Sequence, residues 1–167
     1  MKLLRWLDKY FEESLMLILL SLMVIIMGLQ VFMRYVMQSS LAWPEETTRY
    51  MFIWFVFLGI GYGIRYNIHI RVNLLETFFP SIQKALNIIQ DLTFLAFMLY
   101  LTKPSFAIMQ LIYNSQQHSP AIQLPMIYVY FSLFLGIFLG IFRILQKYYL
   151  IFTGKYEEPQ ASIEGVE

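Results

Sequence analysis

Polar and apolar positions fall into long blocks along this chain. Between Glu13 and Arg34 the stretch SLMLILLSLMVIIMGLQVFM carries only Ser14, Ser21 and Gln30 as polar side chains. A bilayer core of ~30 Å needs about 20 residues of helix at a rise of ~1.5 Å, so this block predicts a membrane span. The second block, between Arg49 and Arg65, is too short alone. Pro44 can open a helix at the first position, where its missing N–H costs nothing, and such a helix could run to about Tyr66. Glu45 and Glu46 then fall in its first turn, where the helix dipole favours carboxylates, and Glu45 is spaced i,i+4 from Arg49. The third block contains Asp91 and Lys103, with Pro104 following. Those two charges are ~18 Å apart along a helix, less than the hydrocarbon thickness, so at least one lies in or near the apolar slab. Lys103 can snorkel along its stem, whereas Asp91 is short and needs an interface, a partner or a proton. The fourth block runs from about Ile122 to Phe142, with Pro125 in its first turn.

The pattern predicts an all-α integral membrane protein with four transmembrane helices, at about 14–35, 46–65, 86–112 and 122–143, in one membrane domain over 1–152. Leu4, Leu7, Phe11 and Leu15 share a helical face, which predicts a short interfacial helix ahead of the first span. A cleaved leader would have a far shorter apolar segment and would not carry Asp8, Glu12 and Glu13. Ile70, Leu74, Phe78 and Ile82 suggest a second interfacial helix, broken at Pro80. Residues 153–167, ending EEPQASIEGVE, have little to bury and are expected to be a disordered cytoplasmic tail.

Orientation follows from the basic residues. With the N-terminus inside, Lys2, Arg5, Lys9, Arg65, Arg71, Lys84, Arg143, Lys147 and Lys155 are inside, and only Arg34, Arg49 and Lys103 are outside. That asymmetry favours N-in, C-in. Trp6, Tyr10, Tyr148 and Tyr149 mark the inner border, and Tyr35, Trp43, Tyr113 and Tyr128 the outer one.

Composition narrows the chemistry. The chain is 59% hydrophobic and 14% charged, against roughly 25% charged for a soluble domain, and a soluble fold of it would expose adhesive apolar patches. With no cysteine there is no disulfide, thiolate zinc site, iron–sulfur cluster or cysteine nucleophile. A net charge of +1, spread along the chain, argues against nucleic acid as a partner. The two histidines, His69 at the inner border and His118 in the outer loop, lie at different depths, so one haem or metal ion cannot bridge them. Ser14, Ser21, Ser105 and Ser132 have no histidine beside them in sequence, and no phosphate-binding loop occurs. The expectation is a protein that is not an enzyme and takes no cofactor or metal.

Three groups of residues remain as candidates. Gly59, Gly61 and Gly63, and Ser132, Gly136 and Gly140, suit close helix packing, within this chain or against another. Arg34, Trp43, Glu45, Glu46 and Arg49 gather both charge signs at the outer border, as an ion-pair cluster capping the second helix or as a docking edge for a partner. Asp91 is a candidate for ion coupling or for a structural pair. There is no convincing internal repeat and no polar midplane, so the chain is unlike a complete transporter and fits an accessory four-helix subunit.

Over roughly residues 30–75 the sequence resembles the small membrane subunit of tripartite ATP-independent periplasmic (TRAP) transporters. The matching elements are an F-x-R-Y end to the first span, here Phe32, Arg34 and Tyr35, and a W-x-E-E element, here Trp43, Glu45 and Glu46. Arg49, a glycine-bearing second span with Gly59, and the histidine-hydrophobic segment His69, Ile70 and Val72 follow in order. The remainder matches in length, span layout and hydropathy. The resemblance implies a bacterial inner-membrane uptake system in which a periplasmic binding protein captures an organic acid. A large membrane subunit, here a separate chain, then carries it inward with sodium, and the small subunit anchors the large one. Carried classes in such systems include C4-dicarboxylates, keto acids, sugar acids and sialic acid, and sialic acid is the choice made among them. The competing readings are a small multidrug-type exporter acting as a homodimer with Asp91 as its cation site, and an assembly factor without transport.

Overall fold

The computed structural model describes residues 2–66 and 83–154, with side chains over 11–66 and 86–154. Four helices account for nearly all of them: α1 (Lys2–Tyr35), α2 (Trp43–Arg65), α3 (Gln83–Ser115) and α4 (Ile127–Phe152). The predicted interfacial helix over 70–82, the predicted tail beyond Gly154, and His69, Ile70 and Val72 lie outside the described residues.

The predicted N-terminal interfacial helix leads into the first span without interruption. Helix α1 is continuous for 34 residues, because no glycine or proline interrupts its hydrogen-bond ladder before Gly28. It ends where Gln38 takes a positive φ of 52°, and Gln30 Nε2 donates to the Leu41 carbonyl at 2.9 Å, folding the connection back along the helix. Helix α2 starts as the sequence suggests, with Pro44 at its entry and Glu45 and Glu46 in its first turn. Helix α3 runs through Pro104, and the Ser105 hydroxyl beside that proline bonds the Leu101 carbonyl at 2.6 Å. Helix α4 begins at Ile127 rather than near 122 and continues past 143 to Phe152. The preceding residues form a tight turn instead of a helix: Ser119 N donates to Leu124 O and Met126 N to Gln117 O, both at 2.9 Å, and His118 bridges Pro125.

Phe11–Tyr35, Leu86–Ser115 and Ile127–Phe152 are long and apolar enough to cross a bilayer. Helix α2 is not among them, since Arg49, Arg65, tyrosines and glycines dilute its 23 residues. The all-α membrane class stands on the other three and on the surface they present. Val24 and Ile25 of α1 are both 65% exposed, and Leu111 of α3 is 67% exposed. Such faces are stable against lipid or another apolar surface and not against water.

Helix α1 packs on α2, α2 on α4, and α4 on α3, so the helices form a row in the order α1, α2, α4, α3. Leu58, Ile64, Met98, Val129, Ile137 and Ile144 form the buried centre. The closest approach is between α2 and α4. A Cβ on Gly136 would lie 2.9 Å from both the Cβ and the carbonyl oxygen of Phe57, and one on Gly140 would lie 3.3 Å from Ile60. Across the α1–α2 contact, a Cβ on Gly59 would lie 3.5 Å from the Met16 methyl and one on Gly61 2.9 Å from Glu12 Oε1. Gly59, Gly136 and Gly140 therefore make close contacts inside this chain, and Gly63 sits half-buried in the same helix as Gly59.

Candidate functional site

Two groups of charged side chains lie toward opposite ends of the helices. At the rim where α1 ends and α2 begins, the sequence-defined cluster divides. Glu46 is buried, whereas Arg34, Trp43, Glu45 and Arg49 are exposed. Glu46 Oε1 accepts from the Tyr50 hydroxyl, one helical turn on, at 2.6 Å. Its Oε2 accepts from the backbone amides of Ala121 at 2.7 Å and Ile122 at 3.3 Å. Within the loop, Ser119 Oγ accepts from Leu124 N at 3.0 Å. Glu46 thus ties the start of α2 to the loop over 116–126. Beside this tie, Ala42, Glu45 and Arg49 face Pro120 and Ala121 across an open hollow of about 400 Å³.

At the opposite end, helix α4 carries Arg143 and Lys147 one turn apart, and each meets a carboxylate from a different helix. Arg143 Nε donates to Glu12 Oε1 on α1 at 2.8 Å, with the side chains 7% and 2% exposed. Arg143 also donates to Gln146 Oε1 at 2.6 Å. Lys147 Nζ donates to Asp91 Oδ2 on α3 at 2.6 Å, and the Tyr148 hydroxyl donates to the same oxygen at 3.2 Å. Asp91 has therefore met its need through a partner, one of the three choices open to it in the sequence. The Glu12–Arg143 pair was not visible there, since 131 positions separate the two residues. The available hint was the i,i+4 pair of cations on α4, which calls for two carboxylates from its neighbours, with Gly61 leaving room for one of them.

Among the described residues no three histidines, cysteines or carboxylates come together as a metal site. His118 stays in the loop, with Nδ1 2.8 Å from the Gln116 carbonyl. The charges at both ends hold helices and loops of this chain together, which is structural chemistry.

Residues 23–154 match the model of the family described as "Tripartite ATP-independent periplasmic transporters, DctQ component". This chain belongs to the DctQ family. The match takes in α2, α3, α4 and the C-terminal part of α1, and the family is one of transporter permease subunits, not of enzymes. A TRAP transporter small permease protein of Haemophilus influenzae is 32% identical over 148 residues, covering 86% of this chain and 91% of that protein. The isethionate TRAP transporter permease protein DctMQ of Oleidesulfovibrio alaskensis is 28% identical over 84% of this chain but only 23% of its own length. The C4-dicarboxylate TRAP transporter small permease protein DctQ of Vibrio cholerae is 31% identical over 42% of this chain and 30% of that protein. As a DctQ-family small permease subunit, the chain has its W-x-E-E element split by the fold into an exposed Glu45 and a buried Glu46.

Proposed function

We propose that this small permease subunit anchors a separate large transport subunit in the bacterial inner membrane, N-in and C-in with α2 as the fourth span, as part of a sodium-driven, binding-protein-dependent importer of an organic acid. The observation that carries the reading is the use of charge. Glu12, Arg143, Asp91 and Lys147 are engaged with one another, while the outward faces of α1 and α3 are apolar. A chain built in this way offers an ionic solute few partners on its way across, and offers a membrane partner broad packing surfaces. The small share of the DctMQ relative that this chain covers fits a small-subunit unit working alongside a larger one. The rim with Arg34, Trp43, Glu45 and Arg49 is assigned to contact with the large subunit and the periplasmic binding protein.

The test is a mild-detergent pull-down from native membranes with the chain tagged, followed by mass identification. Stoichiometric recovery of one large polytopic protein is expected, and recovery of this chain alone as a dimer would overturn the reading in favour of the exporter. Sialic acid and C4-dicarboxylates are the first solutes to offer the partner's binding protein. Asp91→Asn separates the two classes further. Its pair with Lys147 is partly exposed, with side chains 20% and 16% accessible, so the substitution is expected to cost about 1 kcal/mol of stability or less and to leave uptake near the wild-type rate. Loss of transport in that variant would favour the exporter.

A further inference from the structure

We propose that Glu46 is a positioning residue that locks the loop over 116–126 onto α2 and so fixes the surface the binding protein meets, an assignment that rests on the importer reading above. The loop closes on itself through Ser119 N to Leu124 O and Met126 N to Gln117 O, and two of its residues sit in an unusual backbone region. Gln116 and Gln123 both hold positive φ, 49° and 55°, a backbone region that non-glycine residues occupy only when their surroundings determine it. The amides of Ala121 and Ile122 are adjacent in sequence and converge on one oxygen, as consecutive N–H groups do around a bound anion. Here the anion is the protein's own carboxylate, delivered from 75 positions away. Tyr50 holds its other oxygen from the same helix face, and within the loop Ser119 Oγ accepts from Leu124 N.

The neighbouring glutamate has the opposite fate. Glu45 is exposed beside Arg49 on the α2 side of the hollow, and Pro120 and Ala121 form the loop side. Glu46 ties those two sides together through the amides of Ala121 and Ile122. The adjacent acids therefore divide the work: Glu46 sets the shape of the rim and Glu45 meets the partner.

The experiment uses the complete transporter, with this subunit, its large subunit and the binding protein, reconstituted in lipid. Hydrogen exchange over 117–126 reports the lock, and the binding-protein concentration giving half-maximal uptake reports docking. Glu46→Ala is expected to speed exchange at Ala121 and Ile122 by at least about tenfold, the factor set by one lost charge-assisted hydrogen bond. It is also expected to raise the half-maximal concentration several-fold with the maximal rate retained. Glu46→Gln keeps a carbonyl for the two amides and an NH2 for Tyr50, so it should fall between wild type and Glu46→Ala and guards against a simple folding failure. Glu45→Ala should raise the half-maximal concentration with exchange unchanged. Wild-type exchange in Glu46→Ala, or faster exchange with unaltered half-maximal concentration, overturns the proposal. If wild-type uptake needs no binding protein, the importer reading fails instead, and the exchange result still reports on the lock.

Discussion

Replacing Arg143 with leucine is expected to unseat α1 from the rest of the row. The substitution leaves the Glu12 carboxylate, 2% exposed, without its counter-charge. Removing one member of a buried ion pair costs roughly 3–5 kcal/mol, because the remaining charge stays out of water uncompensated. Glu12 has no slack to absorb the loss, since its Oε2 is already buried without a hydrogen-bond partner. Glu12→Gln alone should be milder, because Arg143 keeps Gln146 as an acceptor. The double substitution E12Q/R143L should lose less than the two single effects added together, since no bare buried charge remains. Thermal unfolding of the purified chain in detergent, taken as a double-mutant cycle, measures these differences. An R143L protein as stable as wild type would show that the pair carries no structural weight.

The second large effect is expected at Gly136. A methyl group there would meet the Phe57 carbonyl oxygen and Cβ at 2.9 Å, a contact with backbone that no side-chain rotation relieves. Gly136→Ala should cost about 1–3 kcal/mol through overpacking, and Gly136→Leu should prise α4 from α2 and lower the yield of folded chain severely. Gly28 provides the control. Nothing lies within 4 Å of a Cβ built on it, so Gly28→Ala should be neutral or stabilise α1 by up to ~1 kcal/mol through helix propensity. The unfolding temperatures of the two alanine variants should move in opposite directions. A Gly136→Ala protein as stable as wild type would refute the close approach.

The contrast between these sites also marks what the chain order discloses. The apolar blocks behind α1, α3 and α4 are continuous in sequence, so their membrane character is legible without any knowledge of neighbours. Pro44, Glu45 and Glu46 announce the start of α2 by local chemistry alone. The start of α4 is different. Pro125 looks like the opening of a helix, yet bonds within the loop close that stretch as a turn and Glu46, from another helix, holds it in place. Likewise Glu12 resembles one more charge ahead of a span until the fold sets it against Arg143. Five rim residues close in sequence were expected to act together, and burial divides them because neighbouring positions on a helix face different ways. Local signals are strong where one segment decides the outcome, and weak where two distant segments must meet.

The order of the row bears on how the protein is made. Helix α4, last of the four in the chain, lies between α2 and α3. When a ribosome has delivered α1, α2 and α3 to the membrane, Phe57, Ile60 and Met98 still lack the glycine-lined surface they will pack on, and Asp91 still lacks Lys147. The nascent helices must wait in lipid, α3 without the helix it packs on, until α4 enters between α2 and α3. Assembly of this subunit is thus a late, keystone-like event, completed only after nearly all of its membrane-embedded chain has been synthesised.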